Sequence, residues 1–476
     1  MERTEPLSWL TASELLDAYR SRSLSPVEVI SDIEARIERY EPTLNAFPFL
    51  ALDEARDAAR ASEARWQAGK PDGALDGVPV TIKDTVDAKG WPTRKASLLT
   101  PEDHRAQADA PAVAHLREAG AVLFAKTAVP EFAWKAMTDS RLHGITRNPW
   151  DPERTPAGST GGGTAAVAAG IGHLAHGTDG GGSLRMPPSF CGVVGLKPTH
   201  GRVPYVPQLG PAASLVVEGP VARSVRDIAL AINEMKKPDP RDPLCLPYDP
   251  SDWSLALDTP LAGIRIAYSP GFAGAEPPRR TLAVMQEAVA VFRSLGATVD
   301  EVGPVITPLK PRFEAHWLAS LGQVLRAIPE DRRDLLDPML RQLCEQGLPL
   351  GPEPVWEGLN ERQVLGQEMA EFHRDYPLLI TPTMLDIAPP VTTVYHSPAF
   401  DRWDATVYTM TANLTGQPAL SVPAGLADGL PIGLQIMGPR FAERQILAAG
   451  HAFEQVRGRL VPHPLLLQSL ERMSRS

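Results

Sequence analysis

Short, uninterrupted apolar runs alternate with amphipathic stretches along most of this chain. Near the N-terminus, Thr11 with Glu14 and Ser25 with Glu28 fit capping boxes, and Pro26 takes a first helical position. Residues 51–68 continue the helical pattern until Gly69. At Val78–Ile82 the pattern becomes a solid apolar run after Gly77, predicting a buried strand that ends at Lys83. A helix over Pro111–Ala119, stopped by Gly120, and a strand over Ala121–Ala125 come next. Glycine and proline punctuate 141–158, which predicts loop, before a small-residue helix over Thr160–Gly172. Strands are expected at His173–Thr178, Cys191–Leu196, Ile264–Tyr268 and Ala297–Val302, with a helix at Thr281–Leu295. The 311–376 stretch is predominantly helical, broken near 329 and 347–354. Strands return at Tyr376–Thr381, Ala419–Val422 and Ile432–Met437, and a helix over Ala442–Val456 closes the pattern. Strand–helix alternation of this kind predicts an α/β fold with helices on both faces of a sheet. No internal repeat or low-complexity linker divides the chain, so the expectation is a single large α/β/α domain. It comprises N-terminal helices (about 1–70), a core (about 71–300 and 376–460) and a helical insertion (about 302–375).

Two glycine-rich runs stand out. One is PAGSTGGGTAAVAAG at 156–170, the other GTDGGGSLR at 177–185, and their serines Ser159 and Ser183 lie 24 residues apart. Glycine lets backbone N–H groups converge on one point, so a serine at such a turn sits beside an anion site. That is what acyl transfer requires: a nucleophile, and donors for the oxyanion formed when it attacks. Gly180, Gly181, Gly182 and Ser183 itself are the candidate donors. Read locally, the same residues also make an ordinary glycine turn, and Ser159 or Thr160 makes a helix N-cap. Capping alone does not call for Gly161, Gly162 and Gly163 in the first turn, so something must approach that backbone closely. Lys83, at the end of a buried strand, can lose its proton to desolvation and act as a base; Asp84 and Asp87 would oppose this if they were also close in space, but along an extended segment Asp84 should point the opposite way. Asp179 with His176 or His200 offers a histidine triad for Ser183 as the rival arrangement.

Composition narrows the field. The 476 residues carry a formal net charge of −10 and 43% hydrophobic residues, which argues for a globular protein and against nucleic acid as a partner. The apolar runs are too short to span a membrane, and no signal-peptide core is visible. Cys191, Cys245 and Cys344 show no metal or redox spacing, Cys191 reading as a small core residue, so the expected location is cytoplasmic. Gly161–Ala166 satisfies a dinucleotide pattern but lacks the preceding strand. No phosphate-binding GxxxxGK, GxSxG or HExxH motif is present.

Taken together, these segments resemble the amidase signature family. GVPVTIKD at 77–84 is similar to its lysine segment, 146–170 and 177–203 to its core signature, and GLPIGLQIMGPRFAE at 429–443 to its C-terminal segment. The resemblance implies a serine hydrolase of amide C–N bonds, with Ser183 as nucleophile, Ser159 as bridging serine after a cis peptide from Gly158, and Lys83 as base. It further implies an α/β/α fold around a large mixed sheet, with Gly158, Asp179 and Arg185 supporting the loops. Ala133, Met137, Thr138 and Asp139 are expected to face the acyl group. No cofactor or metal is implied, and the expected partner is a small amide substrate, with the chain a monomer or homodimer. The chain departs from the family in two places. Ala157 and Gly163 stand where GGSSGGS is usual, and Thr406 falls where the glutamine-amidotransferase branch carries an aspartate that reads the substrate amino group. An apolar amide, anilide or carbamate is therefore favoured over the alternatives, an amidotransferase component needing partner chains or a non-catalytic anion binder. Phe313, His316, Trp317, Leu321, Met339 and Trp356 are candidate pocket residues.

Overall fold

The computed structural model describes residues 6–206, 214–397 and 400–475. Its centre is an eleven-stranded mixed sheet. Across the sheet the strands run Phe49–Leu50, Val122–Thr127, Pro79–Lys83, Leu174–Asp179, Val217–Ala222 and Val194–Lys197. The order then continues through Ala419–Ala427, Leu430–Met437, Leu378–Pro382, Arg265–Tyr268 and Thr298–Glu301. Pro79–Lys83 lies parallel to both its neighbours, with Ile82 opposite His176, while Leu174–Asp179 runs antiparallel to Val217–Ala222. Every residue of the Pro79–Lys83, Val122–Thr127 and Leu174–Asp179 strands is buried, so helices and loops cover both faces there.

Both predicted capping boxes are present: Thr11 and Glu14 exchange hydrogen bonds of 3.1 and 2.6 Å, and Ser25 caps the helix Pro26–Leu44. The small-residue helix is shorter than its pattern predicts. It spans Gly161–Ala168, because Gly170 and Gly172 adopt left-handed φ of 73° and 85° and turn the chain away. The strand Val217–Ala222 is not apparent from the sequence, since Gly219 and Pro220 read as breakers.

The glycines of three strands explain how the second glycine run is seated. A Cβ on Gly195 would stand 1.9 Å from the Leu184 carbonyl oxygen, one on Gly219 would stand 2.8 Å from Leu184 Cδ1, and one on Gly177 would stand 2.9 Å from Leu184 Cδ2. Leu184, directly after Ser183, is thus plugged into a socket that only glycine leaves open. Gly195→Ala should destabilise the protein by about 1–3 kcal/mol, read as a lower urea midpoint, because the added methyl meets backbone rather than a flexible side chain. An unchanged midpoint would contradict the socket.

Candidate active site

Lys83 ends its strand fully buried and points its ammonium group at the first glycine run. Nζ donates to Ser159 Oγ at 2.7 Å, to Thr160 Oγ1 at 2.9 Å and to the Thr178 carbonyl at 3.1 Å. Ser159 Oγ in turn donates to Ser183 Oγ at 2.9 Å, and the Gly158–Ser159 peptide is cis. A continuous chain of three side chains therefore leads from Lys83 to Ser183. All three contacts of Nζ are neutral acceptors. Burial lowers the Lys83 pKa to about 7, against the opposing fields of Asp179 and Glu218. Asp84 points the opposite way from Lys83, as the alternation of an extended segment predicts: its carboxylate accepts from the backbone N–H groups of Arg94 and Ala96 and lies in the field of Lys126.

The cap reading of Ser159 and Thr160 does not hold, because neither side chain caps the helix. What approaches the glycines is now visible: a Cβ on Gly161 would stand 2.2 Å from Thr138 Oγ1, and one on Gly162 would stand 2.5 Å from the Ala128 nitrogen. Ala157, where the family usually has glycine, adopts a φ of 65°, and its carbonyl accepts from Thr138 Oγ1 at 2.8 Å.

The second glycine run wraps around the Asp179 carboxylate. That group accepts from the N–H groups of Gly181 (3.1 Å), Gly182 (2.6 Å) and Leu184 (3.1 Å). It also accepts from Arg185 Nε at 2.9 Å and Asn413 Nδ2 at 2.9 Å. Burial alone would raise its pKa, but the Arg185 guanidinium, with Lys197 and Asn413, holds it well below the usual carboxylate range. Two of the four expected oxyanion donors are therefore already engaged. Gly180 and Ser183 are the ones whose N–H groups have no acceptor among the described residues.

The histidine alternative is not assembled. His176 Nε2 lies 2.8 Å from Glu218, and the His200 backbone N–H donates to the Gly416 carbonyl, while Asp179 is bound by Arg185 and Asn413. Cys191 is buried and its thiol is pushed far up by burial, as a core residue's would be.

The family model for amidases matches residues 28–447. The chain belongs to the amidase signature family. It is 34% identical to a glutamyl-tRNA(Gln) amidotransferase component of Moorella thermoacetica, over 94% of this chain and 97% of that one. It is also 33% identical to an acylamidase of Rhodococcus erythropolis, over 95% of this chain and 96% of that one. Among solved structures, a bacterial aryl acylamidase of the same family superposes with a TM-score of 0.87 at 29% identity, covering 99% of this chain and 100% of that one. The α/β fold with its eleven-stranded mixed sheet matches these amidase structures, and membership makes the chain a hydrolase acting on amide C–N bonds.

A cavity of about 300 Å³ opens onto Ser159 and Ser183. Of the residues expected to face the acyl group, Ala133 lines it. Met137, Thr138 and Asp139 do not: Thr138 braces Ala157, Asp139 pairs with Lys135 at 2.6 Å, and the backbone of Met137 packs where a Cβ on Gly158 would stand. Phe313, His316, Trp317 and Leu321 line the cavity as anticipated, whereas Met339 lines a neighbouring groove and Trp356 is 66% exposed elsewhere. Tyr395, Arg402, Trp403 and Thr406 are among the other residues of the wall, and of these four the sequence points only to Thr406. Among the described residues no cluster of His, Cys, Asp or Glu could hold a metal ion, and no helix is long and apolar enough to cross a membrane.

Arg185→Met should leave the Asp179 charge buried without its counter-ion. The expected loss is about 3–5 kcal/mol of stability by denaturant titration. A loss below about 1 kcal/mol would show that the pair does not organise this turn.

Proposed function

We propose that this amidase hydrolyses small, largely apolar amides through an acyl-enzyme on Ser183. The reading rests on one observation above others: the unbroken chain of Lys83, Ser159 and Ser183 at 2.7 and 2.9 Å, ending in a cavity walled by aromatic and aliphatic side chains. With Lys83 neutral, its lone pair takes the Ser159 hydroxyl proton while its remaining N–H groups stay on Thr160 and Thr178. Ser159 takes the Ser183 proton, and Ser183 Oγ adds to the carbonyl carbon. The oxyanion is received by the N–H groups of Gly180 and Ser183, each such donor being worth about 3–4 kcal/mol of barrier. The proton then returns along the same path to the amide nitrogen as the C–N bond breaks, and the amine leaves. Water adds to the ester by the reverse relay, releasing the acid and restoring Ser183.

The similarity to glutamyl-tRNA(Gln) amidotransferases favours a second reading, a glutaminase that works only with partner chains. Against it, Thr406 stands where that branch carries its aspartate, and no aspartate or glutamate lines the cavity among the described residues. The Thr406 hydroxyl is spent on the Arg402 carbonyl at 2.9 Å. The isolated chain should therefore cleave acyl anilides and leave L-glutamine untouched; release of ammonia from glutamine at a comparable rate would favour the second reading.

Ser183→Ala should lose both anilide turnover and labelling by a fluorophosphonate. Lys83→Met should reduce kcat by about a thousandfold or more, since methionine keeps the length without a titratable nitrogen. In the wild type, kcat/KM should rise with pH through an apparent pKa near 7, because the base is the neutral amine and its burial-lowered pKa is about 7. A histidine base would titrate close by, so the pH limb alone does not tell the two apart and the variants do. An active Lys83→Met beside an inactive His176→Ala would overturn the assignment.

A further inference from the structure

The wall of the Ser183 cavity carries two cationic side chains, Lys135 and Arg402, and among the described residues no carboxylate. Lys135 is neutralised, with Nζ 2.6 Å from Asp139 and 3.6 Å from Asp337. Arg402 is not. The adjacent Asp401 turns to His396 at 2.7 Å and Lys310 at 3.6 Å. What Arg402 holds is one long hydrogen bond from Nη1 to the Trp134 carbonyl at 3.4 Å, and the face of Trp317 with Cζ 4.3 Å from the ring centroid. The Tyr395 hydroxyl is a further hydrogen-bond partner. Its Nε is buried without an acceptor.

A guanidinium offers five N–H donors in a planar fork that matches a carboxylate. Most of that fork is unused here, in a site where a lone cation is poorly solvated and gains from a counter-ion. Its reach is also suggestive: a Cβ placed on Gly181 would stand 3.8 Å from Arg402 Nη2, so the fork lies against the turn that carries Ser183. We propose that Arg402 binds a carboxylate on the substrate, making the preferred amides ones with an apolar or aryl body and a carboxylate a few bonds from the scissile carbonyl. One unpaired cation in the cavity suits a singly charged carboxylate rather than a dianionic phosphate. An ammonium group would meet no counter-charge. The proposal rests on the Ser183 reading for the chemistry and adds the recognition element. The carboxylate can sit on the acyl side or the amine side of the bond, and the test distinguishes the two.

Three substrates of similar size serve: 4-anilino-4-oxobutanoate (acyl-side carboxylate), 3-(pentanoylamino)benzoate (amine-side carboxylate) and uncharged pentananilide. The wild type should prefer one of the two anions over pentananilide by about tenfold or more in kcat/KM. Arg402→Met should collapse that ratio to about one, chiefly through KM for the anion, and Arg402→Lys should restore part of it. With the wild type alone, 4-phenylbutanoate should inhibit at a concentration about tenfold below that of 4-phenylbutanol, which checks the site without any variant. Three results would overturn the proposal: no preference for either anion, equal inhibition by acid and alcohol, or an Arg402→Met variant in which all three substrates fall together. The last would make Arg402 a group acting on the oxyanion or the fold. Failure of the Ser183 reading is separable, because it would show as absent pentananilide turnover and absent fluorophosphonate labelling in the wild type.

Discussion

The buried Asp179 carboxylate is the constraint on which the site geometry depends. A carboxylate removed from water must be met by donors, and here most come from its own turn: the N–H groups of Gly181, Gly182 and Leu184 and the guanidinium of Arg185, with Asn413 Nδ2 closing the ring from outside. Satisfying Asp179 therefore coils the chain around it and leaves Ser183 at the rim, with Leu184 driven into the glycine socket below. Arg185 extends the arrangement outward to Asn413, Gln435 and the Thr409 carbonyl, tying the turn to the strands and helices of the C-terminal part. The position of Ser183 is thus fixed by electrostatic necessity rather than by its own contacts.

Lys83 shows the complementary logic. Three lysines lie fully buried near the sheet, and they differ in what surrounds them. Lys126 is held by carbonyl and hydroxyl oxygens in the fields of Asp84, Asp87 and Asp109, and burial still lowers its pKa to about 8. Lys197 donates to the Pro198 carbonyl beside the Arg185–Asp179 pair. Only Lys83 is joined to a serine hydroxyl that is itself joined to a second one. Desolvation supplies the neutral amine, and Asp179 and Glu218 temper it without touching Nζ. The carboxylate that orders the serine turn thus also moderates the base.

Much of this was legible in the sequence, for physical reasons. Strands buried on both faces read as solid apolar runs, which is why Lys83 could be placed at a strand end. Glycines crowded into a helix's first turn signal close approach, and Thr138 and Ala128 are what approaches. Elements built from breakers were hidden: Val217–Ala222 contains Gly219 and Pro220, and Met186–Cys191 carries Pro187 and Pro188 in its first turn, where they suit a helix but look like loop. Partnerships across the fold were hidden too. The alternation of an extended chain already turned Asp84 away from Lys83, but the charges that do act on Lys83, Asp179 and Glu218, enter from other strands and could not be read from the sequence. The substrate wall suffered most, since Tyr395, Arg402 and Trp403 meet Trp134 and Trp317 only through tertiary packing.

The claim from which the rest follows is that Ser183 carries the acyl group during turnover. Acid-quenching the wild-type enzyme during hydrolysis of a 4-nitrophenyl ester, followed by intact-mass and peptide mass spectrometry, reads this directly. The account predicts one added acyl mass per chain, located on the peptide that contains Ser183 and absent from the one that contains Ser159. Acyl mass on Ser159 or elsewhere, or steady turnover with no covalent species under any quench, would contradict it.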